Sequence, residues 1–266
     1  MSFPELPYDI VECILIHAAS SGSSATLTLC QVAAWVRTIA VRELFHTVVL
    51  DSYPKHIAFL GRLAGPGTAT PPAIPLGHHV RHVLVHSNGA DMYAMYQLCP
   101  FLETLAIPAS RLVGFSTSAP RVFPKLRSLT VLTAGPSSIT DALWTNPARV
   151  LPYTTLTHLR FCALPVNPLP LERMPQLTHL ALPLAGLDTP PEEHDALVQR
   201  CPALLMLVLT TEPGVPCAAL ASVFSVHNTR MYVCPYPEDP VAEWRREIDS
   251  GPDIWERAAQ FRNSQS

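Results

Sequence analysis

Six short segments of the chain repeat one pattern, apolar-x-x-apolar-x-apolar. They are Val80–Val85, Leu102–Ile107, Leu126–Val131, Leu156–Phe161, Leu177–Leu182 and Leu204–Leu209. Their first positions lie 22, 24, 30, 21 and 27 residues apart. Four copies carry proline two residues before the first leucine, at Pro100, Pro124, Pro175 and Pro202. A unit this short cannot bury its own apolar face, so neighbouring units must stack. The chain is thereby constrained to a solenoid of parallel strands, an architecture that offers an extended binding surface.

The period is that of leucine-rich repeats, with two long steps. Leucine supplies 35 of the 266 residues, enough for a continuous core. Charged residues make up only 15%, against about 25% in average proteins. The net charge of -3 gives no electrostatic reason to expect nucleic acid or an anionic membrane as partner. Seven cysteines, an odd count without framework spacing, read as reduced thiols of a cytoplasmic or nuclear protein. Asp9 and Glu12 interrupt the N-terminal apolar stretch, so no signal peptide is expected. No apolar run reaches the ~18 residues that span a bilayer.

Outside the repeats the reading is helical. Ile10, Cys13, Ile14 and His17 share one helical face, which Ser20–Ser24 ends. A second helical region runs from Thr26 to Ile39, and Thr47–Leu50 is a short strand. A helix is expected over Pro54–Leu63, then a Gly/Pro-rich loop over Ala64–Gly77. Helices are placed at Asp91–Leu98, Ser138–Trp144 and Pro191–Arg200, and an irregular return at Leu164–Pro170. No asparagine occupies the ladder position after each strand, so the corners need other hydrogen bonds. Arg230–Val233 reads as a last strand. Asp239-Pro240 starts a helix bearing Trp244 and Ile248. Ser250-Gly251-Pro252-Asp253 starts another with Ser250 as cap, bearing Ile254, Trp255, Ala258 and Phe261. This pair is expected to cap the open end of the solenoid, or else to bind a partner.

Leu6-Pro7-Tyr8-Asp9-Ile10-Val11-Glu12-Cys13-Ile14-Leu15 is similar to the opening of an F-box. Leu29–Arg37, with Trp35, resembles its closing helix, and Arg42–Leu50 resembles the segment that follows in fungal F-box proteins. Joined to the repeats, the chain resembles fungal F-box/leucine-rich-repeat proteins over residues 4–50 and 78–234. The resemblance implies an F-box-like head at 1–50, a connector at 51–77, an irregular α/β leucine-rich-repeat solenoid at 78–234 and a helical cap at 235–266. It further implies a non-catalytic substrate receptor of a Skp-cullin-F-box ubiquitin ligase. The head would dock on the Skp adaptor through Leu6, Pro7, Ile10, Ile14, Leu15 and Trp35, while the repeats hold a protein substrate. The other reading of the same residues is a repeat scaffold without a ligase link, its head only covering the first repeat.

Strand alternation assigns the third, fifth and seventh positions of each repeat to a concave ligand face. The substrate-binding candidates are His82, Thr104, Ser128, Thr130, His158, Arg160, His179 and Met206. His158 and His179 should stand side by side with Arg160. There they are either a weakly cationic spot for an acidic or phosphorylated segment or simply strand filler. His82 and His86 share a strand face about 13 Å apart, too far to clamp one ion, so no metal is expected. Gly114–Ser118 lacks the second glycine of a nucleophile elbow, and no phosphate loop or dinucleotide fingerprint occurs. Neither a cofactor nor an enzymatic role is expected.

Overall fold

The computed structural model describes residues 7–20, 23–65, 75–86, 92–112, 124–132, 154–163, 169, 171–184, 191–212, 214–249 and 251–265. Its centre is an eight-stranded, wholly parallel open sheet whose strands follow in sequence order. The strands are β1 Thr47–Leu50, β2 His82–Val85, β3 Thr104–Ile107, β4 Ser128–Val131, β5 His158–Phe161, β6 His179–Pro183, β7 Met206–Thr211 and β8 Met231–Pro235. All six repeated segments form strands, and their third positions stand in register from His82 through Thr104, Ser128, His158 and His179 to Met206.

Three helices, α1 Tyr8–Ser20, α2 Ser23–Leu29 and α3 Ala34–His46, precede the sheet. Within it follow α4 Tyr53–Ala64, α5 Met92–Leu98, α6 Ala109–Leu112, α7 Pro191–Arg200 and α8 Cys217–His227. The chain ends in α9 Pro240–Ile248 and α10 Ile254–Gln265. The helical region expected over Thr26–Ile39 is thus two helices, parted by a turn at 30–33. The helix expected at Ser138–Trp144 and most of the loops expected at 64–77 and 164–170 lie outside the described residues.

The first, fourth and sixth repeat positions build the main core. Val80, Leu102, Leu126, Leu156, Leu177 and Leu204 are buried there in one cluster with Phe59 of α4, Met95 of α5, Val198 of α7 and Phe224 of α8. Turn geometry closes each unit. The carbonyl of one second position accepts the amides of the next unit's second and third positions. Examples are Arg81 with Glu103 and Thr104, and Arg127 with Thr157 and His158. At the other strand end the ladder runs one residue further, as in Leu132 N–H to Ile107 O and Cys162 N–H to Val131 O. These bonds serve the corner in place of asparagine. Gly77 is required by close approach: a Cβ there would stand 1.8 Å from the Leu98 carbonyl oxygen.

One boundary differs from expectation. Thr47–Leu50, assigned to the head, is the first sheet strand, paired Thr47 to His82 and Leu50 to Val85. Phe45-x-x-Val48-x-Leu50 carries the same pattern as the six copies, so the solenoid-like stack begins inside the head segment. At the other end, β8 aligns Met231 and Val233 with Leu207 and Leu209.

Candidate functional site

The opposite face of the sheet carries the third and fifth positions, and it is here that the structure departs most from expectation. The fifth positions Leu84, Ala106, Ala181 and Val208 are fully buried, although they face away from the main core. The chain's own C-terminal helices bury them. Trp244 of α9, 1% exposed, sits in one cluster with Leu84, Ala106, Leu132 and Cys162. Ile254 and Ala258 of α10 sit in another with Ala181, Val208 and Cys234. Small residues at 106 and 181 leave room for these side chains. The helices therefore cover the broad face of the sheet, and Phe261 reaches the main core. α10 also packs on β8, the last strand, so the pair reaches from the open end over this face. The helix start differs too: α10 begins at Ile254, and Asp253 accepts the Glu256 amide at 2.8 Å, while Ser250, expected as the cap, lies outside the described residues.

Between the two apolar clusters lies a set of charges. Arg160 Nη1 donates to Glu247 Oε1 at 2.9 Å and Oε2 at 3.2 Å. Arg257 of α10 pairs with Glu247 at 3.1 Å and also with Glu243. Arg246 pairs with Glu243 as well. Arg160 is 4% exposed and Thr130 is 5% exposed. Neither is open to an incoming ligand, which corrects their assignment to a free surface: alternation does aim them at this face, but α9 occupies it. The two partners of the central pair shift in ways that pull against each other. Burial raises the Glu247 carboxyl above its usual value despite Arg160 and Arg257. Arg160 is raised too: burial works against its charge, but Glu247 and neighbouring groups outweigh that. One guanidinium nitrogen against both carboxylate oxygens makes a charge-assisted contact here.

The third positions form a row that remains half-exposed: His82, Thr104, Ser128, His158, His179 and Met206. His158 and His179 do stand side by side. Their rings stack at 4.3 Å between centroids, 9° from parallel, and both meet Trp255 of α10 at 5.6 and 5.2 Å. Each Nδ1 lies 2.8 Å from the hydroxyl of the preceding threonine, Thr157 or Thr178. Burial lowers His158 to about 4, aided by His179 beside it. Burial also lowers His179, and it lowers His82 to about 4, with His46 and Arg81 adding to the effect there. The pair is therefore neutral at neutral pH, which removes the cationic character expected of this spot.

The head carries the other candidate surface. Pro7 is exposed and Leu15 half-buried; Ile10 is 48%, Ile14 53% and Trp35 47% exposed. Tyr8, Leu27 and Val32, not among the expected adaptor-facing residues, are also exposed in the head, with the Tyr8 ring 6.2 Å from that of Trp35. Ile10, Cys13 and Ile14 line an open depression of about 540 Å³ with Asp9, His17 and Ala18. Leu6 lies outside the described residues. Tyr8 lies in the opening segment itself and Val32 in the stretch that carries Trp35, whereas Leu27 needed the α2–α3 turn to be known.

Among the described residues no group of three or more His, Cys, Asp or Glu is arranged to hold a metal ion. No helix among them is long and apolar enough to cross a membrane. All seven cysteines are described and unpaired, and five are buried. Burial pushes the Cys99 thiol up to about 12 and the Cys234 thiol up to about 11, which leaves those sulfurs unreactive. No protein-family model matches the chain, and no curated protein matches it.

Proposed function

We propose that the chain is an F-box/leucine-rich-repeat protein acting as the substrate-recognition subunit of a Skp-cullin-F-box ubiquitin ligase. The head docks on the Skp adaptor and the repeat sheet holds a protein substrate. The observation that carries this reading is the apolar surface of the head. Ile10, Ile14 and Trp35, together with Tyr8 and Leu27, stand exposed on three short helices, and Val32 on the turn between the second and third. Apolar side chains grouped this way on a small module mark a surface that a partner covers. The role asks for no catalytic group: holding a substrate near a charged conjugating enzyme raises its local concentration.

The second reading, a repeat scaffold whose head merely covers the first unit, draws support from β1. Because Thr47–Leu50 pairs with β2, the head is built into the sheet. A pulldown of the Skp adaptor by the full chain separates the readings, run beside an Ile10→Ala/Ile14→Ala/Trp35→Ala variant. Capture by the unmutated chain and its loss in a folded variant supports the receptor. No capture by the unmutated chain leaves the scaffold.

A further inference from the structure

The C-terminal helix pair is unlike the rest of the core in how it is attached. The main core is one continuous apolar cluster. Apart from Phe261, which reaches the main core, the α9–α10 contact is split into two small apolar clusters with buried charges between them. Buried ion pairs add little net stability over an apolar contact of the same size, because desolvation offsets their attraction. Within this contact the Arg160 Nη2, Trp244 Nε1 and Arg257 Nε atoms meet no acceptor among the described residues.

The ends of the two helices are closed within the pair, although Arg245 meets Asp51 and Arg262 donates to the Thr229 carbonyl outside it. Asp239 caps α9 by accepting from the Val241 and Ala242 amides, and Asp253 caps α10. The turn between them closes internally, from the Gly251 amide to the Arg246 carbonyl at 2.8 Å. Neither helix borrows its end bonds from the sheet.

We propose that α9–α10 is a displaceable internal ligand of the sheet face, and that its external competitor is an amphipathic helix carrying the same Trp-x-x-Glu chemistry. This rests on the reading that the repeat sheet holds a protein. Trp244 and Glu247 define what such a helix presents, while Glu243 pairs with Arg246 and Arg257 within the helix pair itself. A large aromatic side chain drops among Leu84, Ala106 and Leu132, and a carboxylate one turn on meets Arg160. The mode is a helix laid in an apolar groove and fixed by one charge pair. While the internal pair is seated, the face is closed to an outside ligand.

The test uses a fluorescein-labelled synthetic peptide with the sequence of residues 239–265, added to the full-length chain and read by anisotropy. A Glu243→Gln/Glu247→Gln chain keeps Arg160 on the face but loosens its own tail. It should bind the peptide at least tenfold more tightly than the unmutated chain. Adding Arg160→Met to that chain, or Trp244→Ala to the peptide, should cost at least tenfold. A loosened, folded chain that does not bind the peptide overturns the proposal.

Should the loosened chain fail to fold, hydrogen exchange on the unmutated protein decides. Amides of α9–α10 that open while β2–β7 stay protected uphold the proposal, whereas exchange of helices and strands in one step overturns it. Adaptor capture by the head reads independently of both assays, so a failure here is distinguishable from a failure of the receptor reading.

Discussion

Arg160 and Glu247 are 87 positions apart and meet at 2.9 Å beneath the C-terminal helices. Nearly all of this pair is withdrawn from solvent, with side chains 4% and 11% exposed. Removing one partner strands the other in a poorly solvated place. Arg160→Met alone should destabilise the protein by about 3 kcal/mol. Arg160→Met/Glu247→Met should recover much of that, giving a coupling of about 2 kcal/mol in a double-mutant cycle. Urea unfolding of the four proteins measures it; additive single effects would show that the pair is not coupled.

Burial holds His82 and His158 at about 4 and lowers His179. The unfolded chain takes up these protons near the ordinary value of about 6.5. Between those limits the unfolded state binds more protons, so stability rises with pH. Stability present above pH 6.5 should therefore fall as the pH drops towards 4, by about 1 kcal/mol each for His82 and His158 once partial exposure is allowed for, with His179 adding in the same direction. Glu247, raised by burial, works in the opposite sense. The decisive measurement is thus the difference between the unmutated chain and His158→Gln/His179→Gln. If that difference does not change with pH, the stacked histidines contribute nothing.

The carbonyl of Arg127 already accepts the Thr157 and His158 amides, and that of Thr157 accepts the Thr178 and His179 amides. The Thr157 hydroxyl also donates to the Arg127 carbonyl, and the Thr178 hydroxyl to the Thr157 carbonyl, each at 3.1 Å. With each hydroxyl proton committed there, the histidine Nδ1 atoms 2.8 Å away donate to the threonine oxygens. Both imidazoles are then the Nδ1–H tautomer. Long-range ¹H–¹⁵N spectra should give a protonated Nδ1 for each. Thr157→Val/Thr178→Val should abolish that preference, and an unprotonated Nδ1 in the unmutated chain would contradict the assignment.

Cys13 is exposed on α1 between Ile10 and Ile14, whereas five other thiols are buried. A maleimide should label Cys13 first in the native chain, with Cys99 and Cys234 reacting only after unfolding. If the head docks as proposed, the Skp adaptor should slow Cys13 labelling at least tenfold. An unchanged rate in a mixture that forms the complex would place the contact elsewhere.

A side chain at Gly77 has nowhere to go, because its Cβ would overlap the Leu98 carbonyl. Gly77→Ala should lower stability by at least 2 kcal/mol, with the loss centred on the α5–β2 region in hydrogen exchange. Gly61→Ala, where nothing stands within 4 Å, is the control and should be neutral or slightly stabilising.

The strands were legible because each copy repeats its apolar spacing, and parallel pairing in sequence order follows from stacking. β1 and β8 were legible as strands, but a step of 35 residues from Phe45 to Val80 and the polar Asn228 where the β8 pattern begins masked their membership of the repeat. The ligand face was misjudged for a different reason. Alternation correctly aims Leu84, Ala106, Arg160 and Ala181 away from the main core. What covers them depends on where residues 240–265 come to rest, and nothing local encodes that. Arg160 offered one clue: an arginine in a strand otherwise filled by apolar and small residues asks for a carboxylate. The head's exposure was readable in α1, whose apolar residues recur without a partner element in the sequence.

Thr47, the residue that ends α3, already has extended backbone angles of −121° and 123°, so helix passes into strand with no loop between. Hinge motions need a few residues free to change their dihedral angles, and none stand at this junction. Whatever grips the three helices therefore also sets the heading of the sheet, as a handle sets the heading of a blade. A cargo carried on the sheet would be presented at one fixed angle and reach, so that a lysine's place on the cargo, more than its abundance, would decide whether it is met.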